Sequence, residues 1–201
     1  VKQPETGSNY LGREMPEQAF SIRVASFTNA VTSGVATGKT GEHLHIDIAI
    51  KKMLDVISDK GRKGSIYLIG NGGSAAVASH IANDLANMGS LRAHVLHDPA
   101  LLTCLANDYG YEQIYSKQIH KFAKQTDLLI AISSSGQSKN ILNAANAMAE
   151  LGGTVFTLTG FDSHNPLREV GNFNYWIDSH DYGIVEIGHL FFLHHLTNLL
   201  Q

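Results

Sequence analysis

Asp127-Leu128-Leu129-Ile130-Ala131-Ile132 restricts the fold more than any other stretch, because every position after the aspartate is apolar. Side chains alternate between the two faces of a strand, so an unbroken apolar run needs cover on both. Ile66-Tyr67-Leu68-Ile69 has the same character, and 93–96, 154–159 and 173–177 are further strand candidates. Between them, 74–87, 99–105, 112–123, 138–151 and about 184–200 read as helices. Strands alternating with helices predict an α/β fold: a doubly wound, flavodoxin-like, five-stranded parallel sheet with helices on both faces. Ahead of it, Phe20, Val24, Phe27 and Val31 mark a helix from about Pro16 to Val31. A glycine-rich loop is expected over 32–41, then a helix from about His43 to Lys60. The expected organisation is an N-terminal helical arm and loop over 1–41, followed by one domain over 42–201.

Composition narrows the partners. A net charge of −3 gives no reason to expect nucleic acid. The single cysteine, Cys104, rules out an intrachain disulfide framework within this sequence and fits a reducing compartment. No apolar run is long enough to span a bilayer, and Val1–Pro16 lacks the charged-then-apolar order of a signal peptide. A cytoplasmic location is the expectation.

Two strand-to-helix turns carry the chemistry. Gly70-Asn71-Gly72-Gly73-Ser74 follows the strand ending at Ile69, and Ser133-Ser134-Ser135-Gly136-Gln137-Ser138 follows Ile132. Glycines let backbone N–H groups approach an anion, and serines add hydroxyl donors at a helix start. Neither turn has the P-loop lysine or the Gly-x-Gly-x-x-Gly spacing, so no nucleotide cofactor is expected. Neutral donors suit one terminal phosphate monoester better than a triphosphate. In a doubly wound sheet both turns leave the carboxyl edge, where ligands bind.

These two turns, with His80 six residues beyond Ser74 and with Asn107-Asp108-Tyr109-Gly110 between them, resemble the SIS (sugar isomerase) family. The resemblance covers roughly residues 42 to 200 and is nearest the sedoheptulose 7-phosphate isomerase branch. It implies an aldose–ketose isomerase of a phosphorylated sugar, acting by enediol acid–base chemistry and assembled as a homo-oligomer, usually a tetramer. By the same resemblance Ser74, Ser133, Ser134, Ser135 and Ser138 hold the phosphate, while Asn71, Gly72, Gly73, Asn107 and Asp108 line the sugar chain. The fold also serves as a non-catalytic sugar-phosphate sensor, as a protein-binding scaffold of the replication-initiation partner type, and as an isomerase of other sugar phosphates. Those alternatives stay open here.

His80 and Asp84 lie four apart on the first helix, while Glu186 and His194 lie eight apart on the last. In the resembling isomerases a His-x-x-x-Glu pair faces a Gln and a His at these positions, and the four can ligate zinc. The expected metal set is therefore His80, Asp84, Glu186 and His194, with Zn2+ as the ion and Asp84 and His194 as the catalytic pair. Asp84 and Glu186 both depart from that pattern, Asp84 being one methylene shorter than the family's Glu. Asp181 offers a substitute hydroxyl contact near the last helix. His189 and His195 read as packing or surface residues.

Overall fold

The computed structural model describes residues 20–200. The chain runs α1 (Phe20–Thr32), β1 (Val35–Gly38), β2 (His43–Leu44), α2 (Ile46–Lys63), β3 (Ile66–Ile69), α3 (Gly73–Asn87), β4 (Ala93–Val95) and α4 (Pro99–Tyr109). After a 3-10 turn come α5 (Ser116–Phe122), β5 (Leu128–Ser133), α6 (Lys139–Glu150), β6 (Thr154–Thr159), α7 (Pro166–Val170), β7 (Phe173–Trp176) and α8 (Tyr182–Asn198). The five expected parallel strands are present in the order β4-β3-β5-β6-β7.

Period-two burial explains why the sheet is covered twice. Ile66, Leu68, Leu128, Ile130, Ile132, Phe156 and Leu158 face one core, with Met53 and Ile57 of α2, Ile81 and Leu85 of α3, and Leu193 of α8. The intervening Tyr67, Ile69, Leu129, Ala131 and Val155 face the other, with Ile119 of α5 and Ile141, Ala145 and Met148 of α6. Moving one strand by a single residue would exchange these two sets.

Residues 32–41 correct the sequence expectation of a loop. Val35–Gly38 forms β1, which pairs antiparallel with β7 and with the two-residue β2, so the sheet has seven strands. The run Val35-Ala36-Thr37-Gly38 is too short and too small to announce a strand; its pairing partner decides it. Tyr175 of β7 closes this corner, its hydroxyl donating to the Val31 carbonyl at 3.2 Å and its ring stacking on Phe192 at 3.9 Å. The α2 helix begins at Ile46, three residues later than expected, because His43 and Leu44 belong to β2. Helix α7 was also not anticipated, although Asn165-Pro166 is a start signal: the Asn165 side chain accepts from the Arg168 N–H and proline occupies the first turn. The start of the expected first helix, before Phe20, lies outside the described residues. Among the described residues no helix is long and apolar enough to cross a membrane.

His189 of α8 is fully buried, as its packing role requires, and its Nε2 donates to the Thr159 carbonyl at 3.0 Å. Burial disfavours the imidazolium and lowers its pKa from 6.5 to about 4. Between those values the unfolded chain binds the proton and the native chain does not. The His189 contribution is therefore complete above about pH 6.5 and falls progressively as the pH drops to about 4. Melting temperature followed across that window should decline, and His189→Gln, which keeps an N–H donor without the titration, should flatten the decline. Equal slopes in both proteins would refute this source of acid sensitivity.

Candidate functional site

The order β4-β3-β5 places the topological switch between β3 and β5, where successive connections leave in opposite directions. Ile69 pairs with Ala131, so the glycine turn after β3 and the serine turn after β5 emerge side by side. An amide pair ties them together. Asn71 Nδ2 donates to Asn140 Oδ1 at 3.0 Å, and Asn140 Nδ2 returns the bond to Asn71 Oδ1 at 2.8 Å. Asn140 is buried on the first turn of α6, and Tyr111 adds a hydroxyl bond to Asn71 Oδ1 at 3.2 Å.

The glycine turn is held from below. Tyr115 donates to the Gly70 carbonyl at 2.7 Å, and its burial pushes the phenol up to about 12, so it stays a donor. Gly70 has no room for a side chain, since a Cβ would fall 2.5 Å from the Ser74 carbonyl. Gly72 precedes the helix at φ +53°, a conformation that glycine adopts without strain. In the serine turn Gly136 sits at φ +64° and donates to the Ser133 carbonyl at 3.0 Å. Ser133 and Ser138 share a 3.3 Å hydroxyl bond, while the buried Ser134 hydroxyl has no partner among the described residues.

Between the turns lies a cavity of 150 Å³ lined by Asn71, Ser74, Ser133, Ser134, Ser135 and Ser138, together with Tyr182 and Glu186 of α8. It is smaller than a ligand pocket of roughly 300 Å³ or more, so it has room for a phosphate group but not for a whole sugar. An orphan hydroxyl and the free N–H groups of two helix starts make it a neutral, donor-rich cradle.

A second cluster lies farther along α3 and α8. His194 Nδ1 is 3.2 Å from Asp84 Oδ2, His80 Nε2 is 3.6 Å from the same oxygen, and the two Nε2 atoms are 2.9 Å apart. Asp84 is buried while both imidazoles reach solvent. Two imidazoles and a carboxylate, whose ligand atoms all lie within 4.8 Å of one another, form a donor set that suits zinc.

The structure brings together three of the four expected ligands. Glu186 stands eight residues before His194, about 12 Å along the helix axis. Its carboxylate lies against Gly73, at the mouth of the serine cradle, so the four-residue ligand set is not assembled within this chain. Asn107 and Asp108 are also apart from the cradle: they stay exposed on α4, bonded to each other at 2.9 Å. Asp181 is engaged elsewhere too. Arg23 of α1 binds both its oxygens, at 2.8 and 2.9 Å, it caps the Ile184 N–H, and the Arg23 bond lowers its pKa to about 2. Sequence reasoning missed Asn140, Tyr111 and Tyr182. Only Tyr182 left a signal, one helical turn before Glu186 on the same face.

Comparison with known proteins agrees with this geometry. The SIS domain family profile matches residues 26–160. The phosphoheptose isomerase of Campylobacter concisus is 33% identical over 160 residues, covering 76% of this chain and 84% of that protein. The phosphoheptose isomerase of Mycobacterium tuberculosis is 37% identical over 142 residues, covering 68% and 72%. The structure of phosphoheptose isomerase from Neisseria gonorrhoeae superposes with a TM-score of 0.76 at 25% identity, covering 90% of this chain and 97% of that one.

A test of the cradle is Gly70→Ala. Its methyl group meets backbone that cannot rotate away, so α3 must shift at a cost of about 1–3 kcal/mol. Denaturant unfolding should register that loss, and phosphate affinity should fall with it. Unchanged stability and affinity would show that the close approach of β3 to α3 is dispensable.

Proposed function

We propose that this chain, which belongs to the SIS domain family, interconverts sedoheptulose 7-phosphate and D-glycero-D-manno-heptose 7-phosphate. At the coarser level it is an aldose–ketose isomerase acting on a sugar phosphate. The observation that carries the finer reading is the disposition of the two sites along α3. Ser74 at its start lines the phosphate cradle, and Asp84, ten residues later, joins His194. Ten residues rise about 15 Å along the axis, which favours a long, extended sugar chain over a short one.

In this reading the phosphate enters among Ser74, Ser133, Ser134, Ser135 and Ser138 and anchors the substrate. Asn71, Gly72 and Gly73 line the start of the sugar chain. Asp84 removes the proton from the carbon beside the carbonyl, its electron pair forms the enediol double bond, and the carbonyl oxygen gains a proton. Returning the carbon-bound proton to the adjacent carbon exchanges aldose for ketose. His194, held beside Asp84 through Nδ1, moves the hydroxyl proton. His80, Asp84 and His194 would hold a zinc ion, which when bound polarises sugar oxygens as a Lewis acid.

Assembly belongs to the same proposal. Phe20, Ile22 and Val24 of α1 and Ile187 and Phe191 of α8 are exposed, an apolar surface suited to burial between copies in a cytoplasmic homotetramer. Light scattering should then give a mass roughly four times 21.8 kDa; a monomer at micromolar concentration would remove this element. For the chemistry, NMR of the protein with sedoheptulose 7-phosphate, with and without zinc, should show the aldose appear. Asp84→Asn and His194→Ala should each lower turnover by about 10³-fold or more while phosphate affinity is retained. Turnover surviving in either variant would refute the assigned roles.

A further inference from the structure

A second cavity lies away from the serine cradle. It measures 610 Å³ and opens between the β1–β2 hairpin, the end of β7 and α7. That volume lies within the range that holds a small metabolite. Its walls carry Lys39, Thr40, His43, Ser163, Arg168 and Trp176.

Arg168 lies over the indole of Trp176, its Cζ 5.2 Å from the ring centroid. One guanidinium nitrogen donates to the Ser163 carbonyl, at 2.6 Å, which fixes the group and leaves the rest of its donor fork free. Burial works against its charge and lowers its pKa from the ordinary value. Among the described residues neither Arg168 nor Lys39 takes part in an ion pair. The one carboxylate on the wall, Glu169, is exposed. The Trp176 Nε1–H is buried and has no acceptor among the described residues. A partly desolvated guanidinium, held over an indole and without a counter-charge, with Lys39 on the same wall, is an unmet demand that an anion satisfies. Glu42, the carboxylate of the hairpin, is already engaged by the Thr40 N–H and hydroxyl, at 3.1 and 2.7 Å.

We propose that this cavity is a second anion site, which binds a small phosphorylated metabolite through Arg168 and Lys39, with the Trp176 indole as part of its wall. It is separate from the serine cradle but shares a wall with it. Asn165 lines the cavity, is fully buried, and packs on Gly136 of the serine turn, where a Cβ would overlap it. The ligand anchors by its phosphoryl oxygens, which accept from the guanidinium fork, and its hydroxyls face Thr40 and Ser163.

Trp176 is the sole tryptophan of the chain and lines this cavity, so its emission reports on it directly. The full chain is titrated with inorganic phosphate and with glycerol 3-phosphate, using potassium chloride to match ionic strength. A saturable change in emission that chloride does not reproduce is expected. Tighter binding of the ester identifies an organic phosphate as the ligand, and equal binding identifies the inorganic anion; either supports the site. Arg168→Gln should weaken the apparent Kd at least tenfold. Lys39→Gln, at an exposed position that leaves the fold intact, should weaken it severalfold, and Ser133→Ala should leave it unchanged. No saturable change would overturn the proposal. So would a response that Ser133→Ala abolishes and Lys39→Gln and Arg168→Gln preserve, because the anion would then belong to the cradle.

Discussion

The parallel pairing of β3 with β5 is the constraint on which the rest of the structure depends. It sets Ile69 beside Ala131, so the chain leaves the sheet twice at one place, through a glycine turn and through a serine turn. Any other neighbour for β3 would separate the turns by the width of at least one strand, about 5 Å. The reciprocal Asn71–Asn140 bonds then convert proximity into fixed geometry. Each amide uses both its donor and its acceptor, a satisfied pair in a partly buried place where an unmatched one would cost about 1–3 kcal/mol.

The same switch point fixes the placement of the helices that carry His80, Asp84 and His194. Helix α3 starts in the glycine turn, and α8 follows β7 and packs along α3 on one face of the sheet. Glu186 meets Gly73, and His194 meets His80 and Asp84, so the two helices run side by side in the same sense. One end of their seam borders the phosphate cradle, and the other holds two imidazoles and a buried carboxylate. In the proposed reaction, anchoring and proton transfer are thereby separated along a single rigid pair of helices. A site built on helices holds its spacing better than one carried on loops.

Much of this was legible in the sequence because it rests on local pattern. The apolar runs of β3 and β5, the glycine and serine turns, and the pairing of His80 with Asp84 are all short-range signals. What escaped depends on tertiary partners. β1 exists because β7 offers it an edge, and nothing within Val35–Gly38 states that. Asn140 reads as one more polar residue on a helix until Asn71 arrives from the other turn. Glu186 and His194 look like one ligand pair when only their spacing is counted. Eight residues advance a helix by 2.2 turns and about 12 Å, so the two side chains serve different ends of the seam.

The position of Glu186 has an electrostatic consequence for the cradle. Its carboxylate rests at the start of α3, where the positive end of the helix dipole favours an anion. A phosphate group seeks the same place. Two like charges about 4 Å apart repel by about 4 kcal/mol at an effective dielectric constant of 20, comparable to what several neutral hydrogen bonds return. The repulsion falls as the separation grows, and Glu186 has the side-chain rotors to withdraw, whereas the backbone donors do not move. Gly73 is the permissive element, because any larger residue there would overlap the carboxylate. The cradle is thus made of fixed neutral donors with one movable charge at its mouth, and in the proposed reaction the substrate's phosphate group would displace that charge.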